Sequence, residues 1–376
     1  MHRYRILIIG AYGQFGRRIA GELADDESFE LILAGRNLES SETLIVGLQN
    51  QGARAVLRAA AIDVDATDLV VEIAALSPRL VIHTAGPFQH RDYRVAEASL
   101  ACGAHYVDLA DGRDFVMGID RLDEVARANN LWAISGASSV PGLSAAVVQA
   151  HIAEFASLDS VESAISPGNQ TPRGLATTQA ILGYVGQRFP ALQNGRWRQV
   201  HGWQSLRRLR VPGIGPRWTA RCDVPDLAVL PKRYPELKHC DFRAGLELDR
   251  MHWGLWLASW GVRAGLVPNL ARWAQPLIRA SELWIRSGTD TGVMSIQMRG
   301  LGLQGERRHI QWSIIARDGS GPQIPATAAV VLSRKLARGD LPGSGARPCL
   351  DLFTLDEFIQ SLAAYPISTS TQILPS

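Results

Sequence analysis

Three glycines set three apart, in Gly10-Ala11-Tyr12-Gly13-Gln14-Phe15-Gly16, follow the apolar run Ile6-Leu7-Ile8-Ile9. A run of this kind between a strand and a helix can hold the pyrophosphate of a dinucleotide. Gly10 permits the tight turn, Gly13 lets backbone approach the phosphates, and Gly16 lets the helix pack closely on the strand. Tyr12, Gln14 and Phe15 complete the loop, whose amides lie at the positive end of the helix. The acid that would bind a ribose 2′-hydroxyl belongs about 20 residues further on. The chain has Ala34-Gly35-Arg36-Asn37 there, with no acid. The Arg36 guanidinium, beside Asn37, can pair bidentately with a 2′-phosphate and stack on adenine, so the expected cofactor is NADP(H). The plainer alternative is an arginine at an ordinary exposed helix start. Asp63-Val64 should flank the adenine, and Thr84-Ala85-Gly86-Pro87 should run beneath the nicotinamide ribose, since ligands sit at the carboxyl ends of parallel strands.

Hydride transfer also calls for a group that handles a proton. Asp108, Asp111 and His90 are the catalytic candidates, all at or beyond the ends of apolar runs. Asp108 could hold a substrate amine or orient a donor, or it could cap the next helix. His90 could line a cleft or begin a helix. His83 sits inside an apolar run and reads as a core histidine.

The elements that must position these groups alternate strictly. Strands are expected over residues 5–9, 29–34, 54–63, 79–84, 105–109 and 131–135, with helices over 14–24, 38–51, from beyond Asp65-Ala66-Thr67 to about 77, 92–102 and 114–129. That order implies βαβ units and a doubly wound parallel sheet covered on both faces, the Rossmann arrangement. Beyond residue 150 the rhythm stops, and every tryptophan except Trp132 lies past residue 196. Helices are expected over 177–189, much of 254–285, 322–338 and 354–364, and strands over 292–300 and 309–317. The second domain is therefore mixed α+β.

Two features of this half stand out. Between Glu162 and Asp223 every charged residue is an arginine: Arg173, Arg188, Arg196, Arg198, Arg207, Arg208, Arg210, Arg217 and Arg221. Some could read an acidic substrate; the alternatives are a solvated face or ion pairs with acids elsewhere. Trp253, Trp256 and Trp260 fall on one helical face, as core, subunit interface, hydrophobic substrate channel or peripheral membrane contact.

Composition removes other classes. The 376 residues are 46% apolar, enough for two packed domains, and a net charge of +3 with no RNA-binding motif argues against nucleic acid. Only Lys232, Lys238 and Lys335 are lysines, so the first half has neither a Walker lysine nor a Schiff-base lysine. The sole Tyr-x-x-x-Lys spacing, Tyr234 to Lys238, has proline after the tyrosine and lies too far downstream for a short-chain dehydrogenase. Cys102, Cys222, Cys240 and Cys349 form no CxxC pair, so neither a metal site nor a disulfide framework is expected. No signal-peptide core precedes the first strand, and 251–268 is too polar to span a bilayer; a cytoplasmic location is expected.

The glycine run, Ala34-Gly35-Arg36-Asn37, His83-Thr84-Ala85-Gly86-Pro87-Phe88, Cys102-Gly103-Ala104-His105-Tyr106-Val107-Asp108 and Gly136-Ala137-Ser138-Ser139-Val140-Pro141-Gly142 together resemble the saccharopine dehydrogenase-like oxidoreductases. The likeness is fainter at Gly168-Asn169 and Gly174-Leu175-Ala176-Thr177, and returns at Gly345-Ala346-Arg347-Pro348. It implies NADP(H)-dependent hydride transfer at a C–N bond; with the arginine run, a small, carboxylate-bearing substrate is expected, and a homodimer as the assembly. Reduction of a hydrophobic lipid or enoyl substrate, or a non-catalytic NADPH-binding module, are the alternatives. The change in rhythm divides the chain into a domain over 1–150 and a substrate or dimerisation domain over 151–320, and the resemblance implies that a segment 321–376 returns to the first domain.

Overall fold

The computed structural model describes residues 3–172 and 174–375. The first stretch runs β1 (Tyr4–Ile9), α1 (Gly16–Ala24), β2 (Phe29–Gly35), α2 (Leu38–Asn50), β3 (Val56–Ala61), α3 (Leu69–Leu76), β4 (Leu80–His83), α4 (Arg94–Ala101), β5 (His105–Asp108), α5 (Arg113–Met117), α6 (Asp123–Ala128) and β6 (Trp132–Ser135). The middle holds α7 (Ser144–His151), β7 (Phe155–Ser166), α8 (Leu175–Tyr184), β8 (Arg188–Gln193), β9 (Arg196–His201), β10 (Arg207–Val211), β11 (Ile214–Arg221), α9 (Asp226–Arg233), β12 (His239–Ala244), α10 (Asp249–Arg263), α11 (Ala274–Glu282), β13 (Gly292–Gly302) and β14 (Arg307–Ala316). The chain closes with α12 (Gln323–Arg338), β15 (Gly345–Pro348), α13 (Leu355–Gln360) and β16 (Ile367–Ile373).

Two compact units result. One comprises Met1–Leu143 and Pro322–Ser361, the other Ser144–Gly321 and Leu362–Ser376. The first is built on a seven-stranded sheet in the order β15-β6-β5-β4-β1-β2-β3, every pairing parallel. Its central strands are buried on both faces: Ile6 to Ile9, Leu31 to Leu33 and Leu80 to Ile82 are at most 1% exposed. Continuous apolar runs of this kind are what a doubly covered parallel sheet requires. The strand order reverses between β1 and β4, and at that switch point the Thr84 hydroxyl donates to the carbonyls of Ile9 and Gly10, both at 3.0 Å.

The expected 114–129 helix is broken. Tyr93 donates its hydroxyl to the Phe115 carbonyl at 2.6 Å, removing that acceptor from a continuing helix. A Cβ on Gly118 would stand 2.6 Å from the same Tyr93 hydroxyl. The chain passes through a 3₁₀ segment before α6 begins.

The closing segment does not behave as one piece. Pro322–Ser361 joins the first unit: α12 packs on α1, Arg334 donates to the Glu22 carbonyl, and β15 extends the sheet beside β6. Ile367–Ile373 instead pairs antiparallel with β14, so the expectation of a single return over 321–376 is corrected. The polar sequence Ile-Ser-Thr-Ser-Thr-Gln-Ile gave no apolar face to read, because β16 lies at the sheet edge with its central residues exposed.

The second unit is organised on a mixed sheet in the order β10-β11-β12-β7-β13-β14-β16, with β8 pairing β12 and β9. One face presents Val161, Phe242, Ile296, Met298, Ile310 and Trp312, all buried. The opposite face carries charge. Glu162 is bound by Arg207 and Arg299, each at 2.6 Å, and Asp241 by Arg221 at 3.2 Å and Arg243 at 2.9 Å. The β10–β11 hairpin contributes Leu209, Val211 and Ile214 to an apolar cluster with Ala164, Val293 and Ile315, alternating with those charges. Helix α8 stops at Tyr184 instead of reaching 189. Gly186 takes φ +72°, and a Cβ there would meet the Ser259 carbonyl at 2.5 Å.

Candidate active site: the dinucleotide loop and the edge beside it

The loop between β1 and α1 is shaped by what its glycines exclude. Gly10 has φ +84°, and a Cβ there would lie 2.7 Å from the Thr84 hydroxyl. On Gly16 a Cβ would lie 2.2 Å from the Gly10 carbonyl oxygen and 2.8 Å from Ala11 Cα, so α1 can start against the turn only without a side chain. Gly13 donates its amide to Gly10 at 2.9 Å, closing the turn. The amides of Tyr12 and Phe15 donate to no protein acceptor among the described residues, which leaves donors at the start of α1 for an anion. The Gln14 side chain accepts from Arg17 at 3.2 Å.

The end of β2 is built against this loop. Gly35 lets the Tyr12 ring lie directly over it; a Cβ would be 2.5 Å from that ring. The Tyr12 hydroxyl accepts the Asn37 amide at 3.2 Å, and the Asn37 side chain accepts the Ser40 amide at 2.9 Å as the N-cap of α2. These bonds fix the backbone on either side of Arg36. Its guanidinium is exposed and makes no hydrogen bond or ion pair among the described residues. Asn37, expected as a cofactor contact, thus spends its side-chain oxygen on the cap. Gly35 is a residue the sequence reading passed over; a glycine ending a strand beside an aromatic in the loop was the signal for it.

This combination decides the cofactor class. Residues 6–133 match the family model described as the saccharopine dehydrogenase NADP binding domain. The chain carries a saccharopine dehydrogenase-type NADP-binding domain. Its fold, over 99% of this chain and 100% of the other, is similar to apo saccharopine dehydrogenase (L-Glu forming) from Saccharomyces cerevisiae, with TM-score 0.71 and 12% identity. The amine dehydrogenase of Mycobacterium smegmatis aligns over 95% of this chain and 97% of its own, with TM-score 0.48 and 11% identity. No curated protein matches by sequence.

Within the NADP-binding domain, the other expected contacts are placed as follows. Asp63 is exposed, and its carboxylate accepts the Asp65 amide at 3.1 Å; Val64 beside it is half-buried. The Thr84 hydroxyl is used in clamping β4 to the glycine loop, which makes it part of the cradle's frame. Ala85, Gly86 and Pro87 are half-buried and follow directly from β4.

The three catalytic candidates separate. Asp108 is 0% exposed, so the expectation that it touches a substrate is corrected. Its Oδ1 accepts from the amides of Ala110 at 2.9 Å and Gly136 at 2.8 Å, and from the Ser135 hydroxyl at 2.9 Å. It ties the end of β5 to the end of β6. Nor does it cap α5, whose N-cap is Gly112. Burial pushes its carboxyl up to about 6, against the pull of the Gly136 and Ala110 amides. Beside it, Tyr106 bonds His83 Nδ1 at 3.0 Å, and His83 packs edge-on against Phe88 at 4.9 Å. Burial holds His83 down to about 3, so it is a neutral core ring.

Asp111 is half-buried, accepts from Gln89 at 3.0 Å, and is raised above the usual carboxylate range by burial. That bond joins the loop after β4 to the loop after β5, both at the carboxyl edge of the sheet. His90 is exposed in the first of these loops, with φ +61°, a left-handed conformation that histidine adopts more readily than most residues other than glycine.

Three arginines of the second unit's basic run, Arg207, Arg217 and Arg221, are held in ion pairs. Arg217 is 5% exposed and bonds Glu247 at 3.0 Å, together with the carbonyls of Ser166 and Thr291. Arg207 and Arg221 are committed to Glu162 and Asp241. Although burial works to raise it, Arg299 and Arg207 hold Glu162 below the usual carboxylate range. Glu162, His239 and Asp241 approach closely enough to share an ion, but both carboxylates are already bound by arginine. Arg188, Arg196, Arg198, Arg208 and Arg210 remain exposed, and Arg173 lies outside the described residues.

Proposed function

We propose that the chain is an NADP(H)-dependent oxidoreductase that transfers a hydride to or from the C–N bond of a small, carboxylate-bearing substrate. The observation that carries the cofactor half is the unpartnered Arg36 guanidinium, held by the Tyr12–Asn37 bond where an NAD-specific site has an acid. The whole-chain fold likeness to a saccharopine dehydrogenase (L-Glu forming) supports the C–N half. NADPH supplies the hydride when bound. The chain's part is to hold the pyrophosphate on the amides at the start of α1 and the 2′-phosphate on Arg36. Asp111, raised by its half-buried setting, is assigned the proton exchange with the substrate nitrogen, and His90 the contact at the loop tip. Asp108 is a positioning residue that fixes the β5 and β6 loop ends.

The test is NADPH oxidation, followed by nicotinamide absorbance, with a panel of amine and 2-keto-acid pairs. An amine-dependent rate that falls about 100-fold in Asp111→Asn with unchanged NADPH affinity is expected. A rate with enoyl substrates alone refutes the C–N assignment, and an unaltered rate in Asp111→Asn refutes the residue's role.

A further inference from the structure

Among the described residues no helix is long and apolar enough to cross a membrane, yet most of the exposed large apolar side chains lie in the second unit. On α10, the buried side is His252, Ser259 and Val262, and the apolar cluster beneath also takes in Leu182, Trp203 and Leu270. The outward side repeats at helical spacing: Trp253, Leu257 at 67% exposed, and Trp260. Leu266, in the turn after α10, is 80% exposed, and Leu283, just past α11, is 79% exposed. Core demand does not explain these positions, because α10 already has a buried stripe on its other side.

The tryptophans form a connected row. Trp218 meets Trp253 at 5.4 Å, Trp253 meets Trp256 at 5.2 Å, and Trp256 meets Trp260 at 6.1 Å between ring centroids. Arginines sit on this row and beside it. Arg208 lies over Trp218 at 4.5 Å, Arg263 over Trp260 at 4.9 Å, and Arg250 over Trp284 at 5.2 Å. Arg250 also donates to Ser287, which ties the start of α10 to the segment after α11. Between Asp249 and Ser287 the charged residues are Asp249 and Glu282 against Arg250, Arg263, Arg272, Arg279 and Arg286. An indole is suited to the headgroup level of a bilayer, with its ring in the acyl boundary and its N–H in water. A guanidinium stacked on that indole is held at the same depth, where lipid phosphates lie.

We propose that the outward face of α10, with the exposed residues after it, docks this protein on an anionic phospholipid surface. The exposed leucines and indoles enter the interface, and Arg208, Arg250 and Arg263 pair with lipid phosphates. The helix lies in the plane of the surface; it carries charge at both ends and, at 15 residues, is shorter than the roughly 20 a spanning helix requires. The charge complementarity selects a membrane over a second copy of the chain, which would bring the same positive rim against itself.

The test is co-sedimentation of the full chain with vesicles of phosphatidylcholine alone and of phosphatidylcholine with about one-third phosphatidylglycerol. Tryptophan emission is read in parallel. Binding to the mixed vesicles with a blue shift is expected, weakening as salt rises. Arg263→Gln and Arg208→Gln should each weaken binding about fivefold. Leu257→Glu with Leu283→Glu should abolish it, with NADPH affinity retained as the sign of an intact first unit. The two arginine variants keep the test decisive if the leucine variant fails to fold. Three results overturn the proposal: no vesicle binding, equal binding to both vesicle types, or a dimer in solution that Leu257→Glu splits.

Discussion

Replacing Asp108 with Asn should stabilise the protein, and the gain should depend on pH in a defined way. In the folded state the carboxyl is pushed from 3.8 up to about 6, with burial as the first cause. An unfolded chain releases this proton at about pH 4. Because the folded value is the higher, the contribution to stability is complete below the unfolded value and is lost as pH rises through about 6. A difference of about two units corresponds to about 3 kcal/mol. Asn resembles the protonated carboxyl: it keeps an acceptor for Ala110, Gly136 and Ser135 and carries no charge. Wild type and Asp108→Asn should therefore unfold alike at about pH 4 and separate progressively, the variant gaining about 2–3 kcal/mol above about pH 7. Urea unfolding at matched pH values measures this directly. A gain that does not vary with pH, or a wild type that is the more stable above pH 7, would refute the reasoning that the ionised carboxylate is disfavoured at the β5–β6 edge.

Other consequences follow from the same geometry. Gly16→Ala places a Cβ against backbone, not against a flexible side chain. It should abolish NADPH binding and cost the first unit about 1–3 kcal/mol, measured by calorimetric titration and by urea unfolding. Arg217→Met takes the guanidinium from Glu247 and leaves its carboxylate on the amides of Asn169 and Thr289 and the Thr289 hydroxyl. A loss of about 3–5 kcal/mol in the second unit is expected, and the Arg217→Met, Glu247→Leu double variant should not recover it, because the Asn169 and Thr289 donors then lose their acceptor. His105 and His252 are held down to about 4 by burial. Their folded values lie below the unfolded ones, so the stability they contribute is present above about pH 6.5 and is lost as pH falls toward 4. His252→Gln should flatten that acid limb of the unfolding profile.

What could be read in the sequence follows from how each unit is buried. The first unit's strands are covered on both faces, so Ile6 to Ile9 and Leu80 to Ile82 appear as unbroken apolar runs, and the alternation with helices is plain. Gly10, Gly13 and Gly16 could be placed because the tight turn between β1 and α1 fixes their spacing. The second unit was opaque for the opposite reason. Its sheet buries charge, with Asp241 and Arg243 at 2% and 4% exposed, so β10, β11 and β12 read as a basic segment. The pairing of Arg207 with Glu162 and of Arg217 with Glu247 spans tens of residues and has no local signature. Asp108 looked like a site residue because it ends a parallel strand. Only the fold reveals the three donors from Ala110, Ser135 and Gly136 that bury it.

The central claim is that Arg36 reads a 2′-phosphate above the glycine loop. Calorimetric titration of wild type and Arg36→Gln with NADPH and with NADH tests it most directly. Wild type should prefer NADPH by about tenfold or more, the worth of a charge-assisted pair at an exposed site. In Arg36→Gln, NADPH should weaken by about the same factor while NADH affinity holds. Equal affinities in wild type, or equal losses for both cofactors in the variant, would contradict the account.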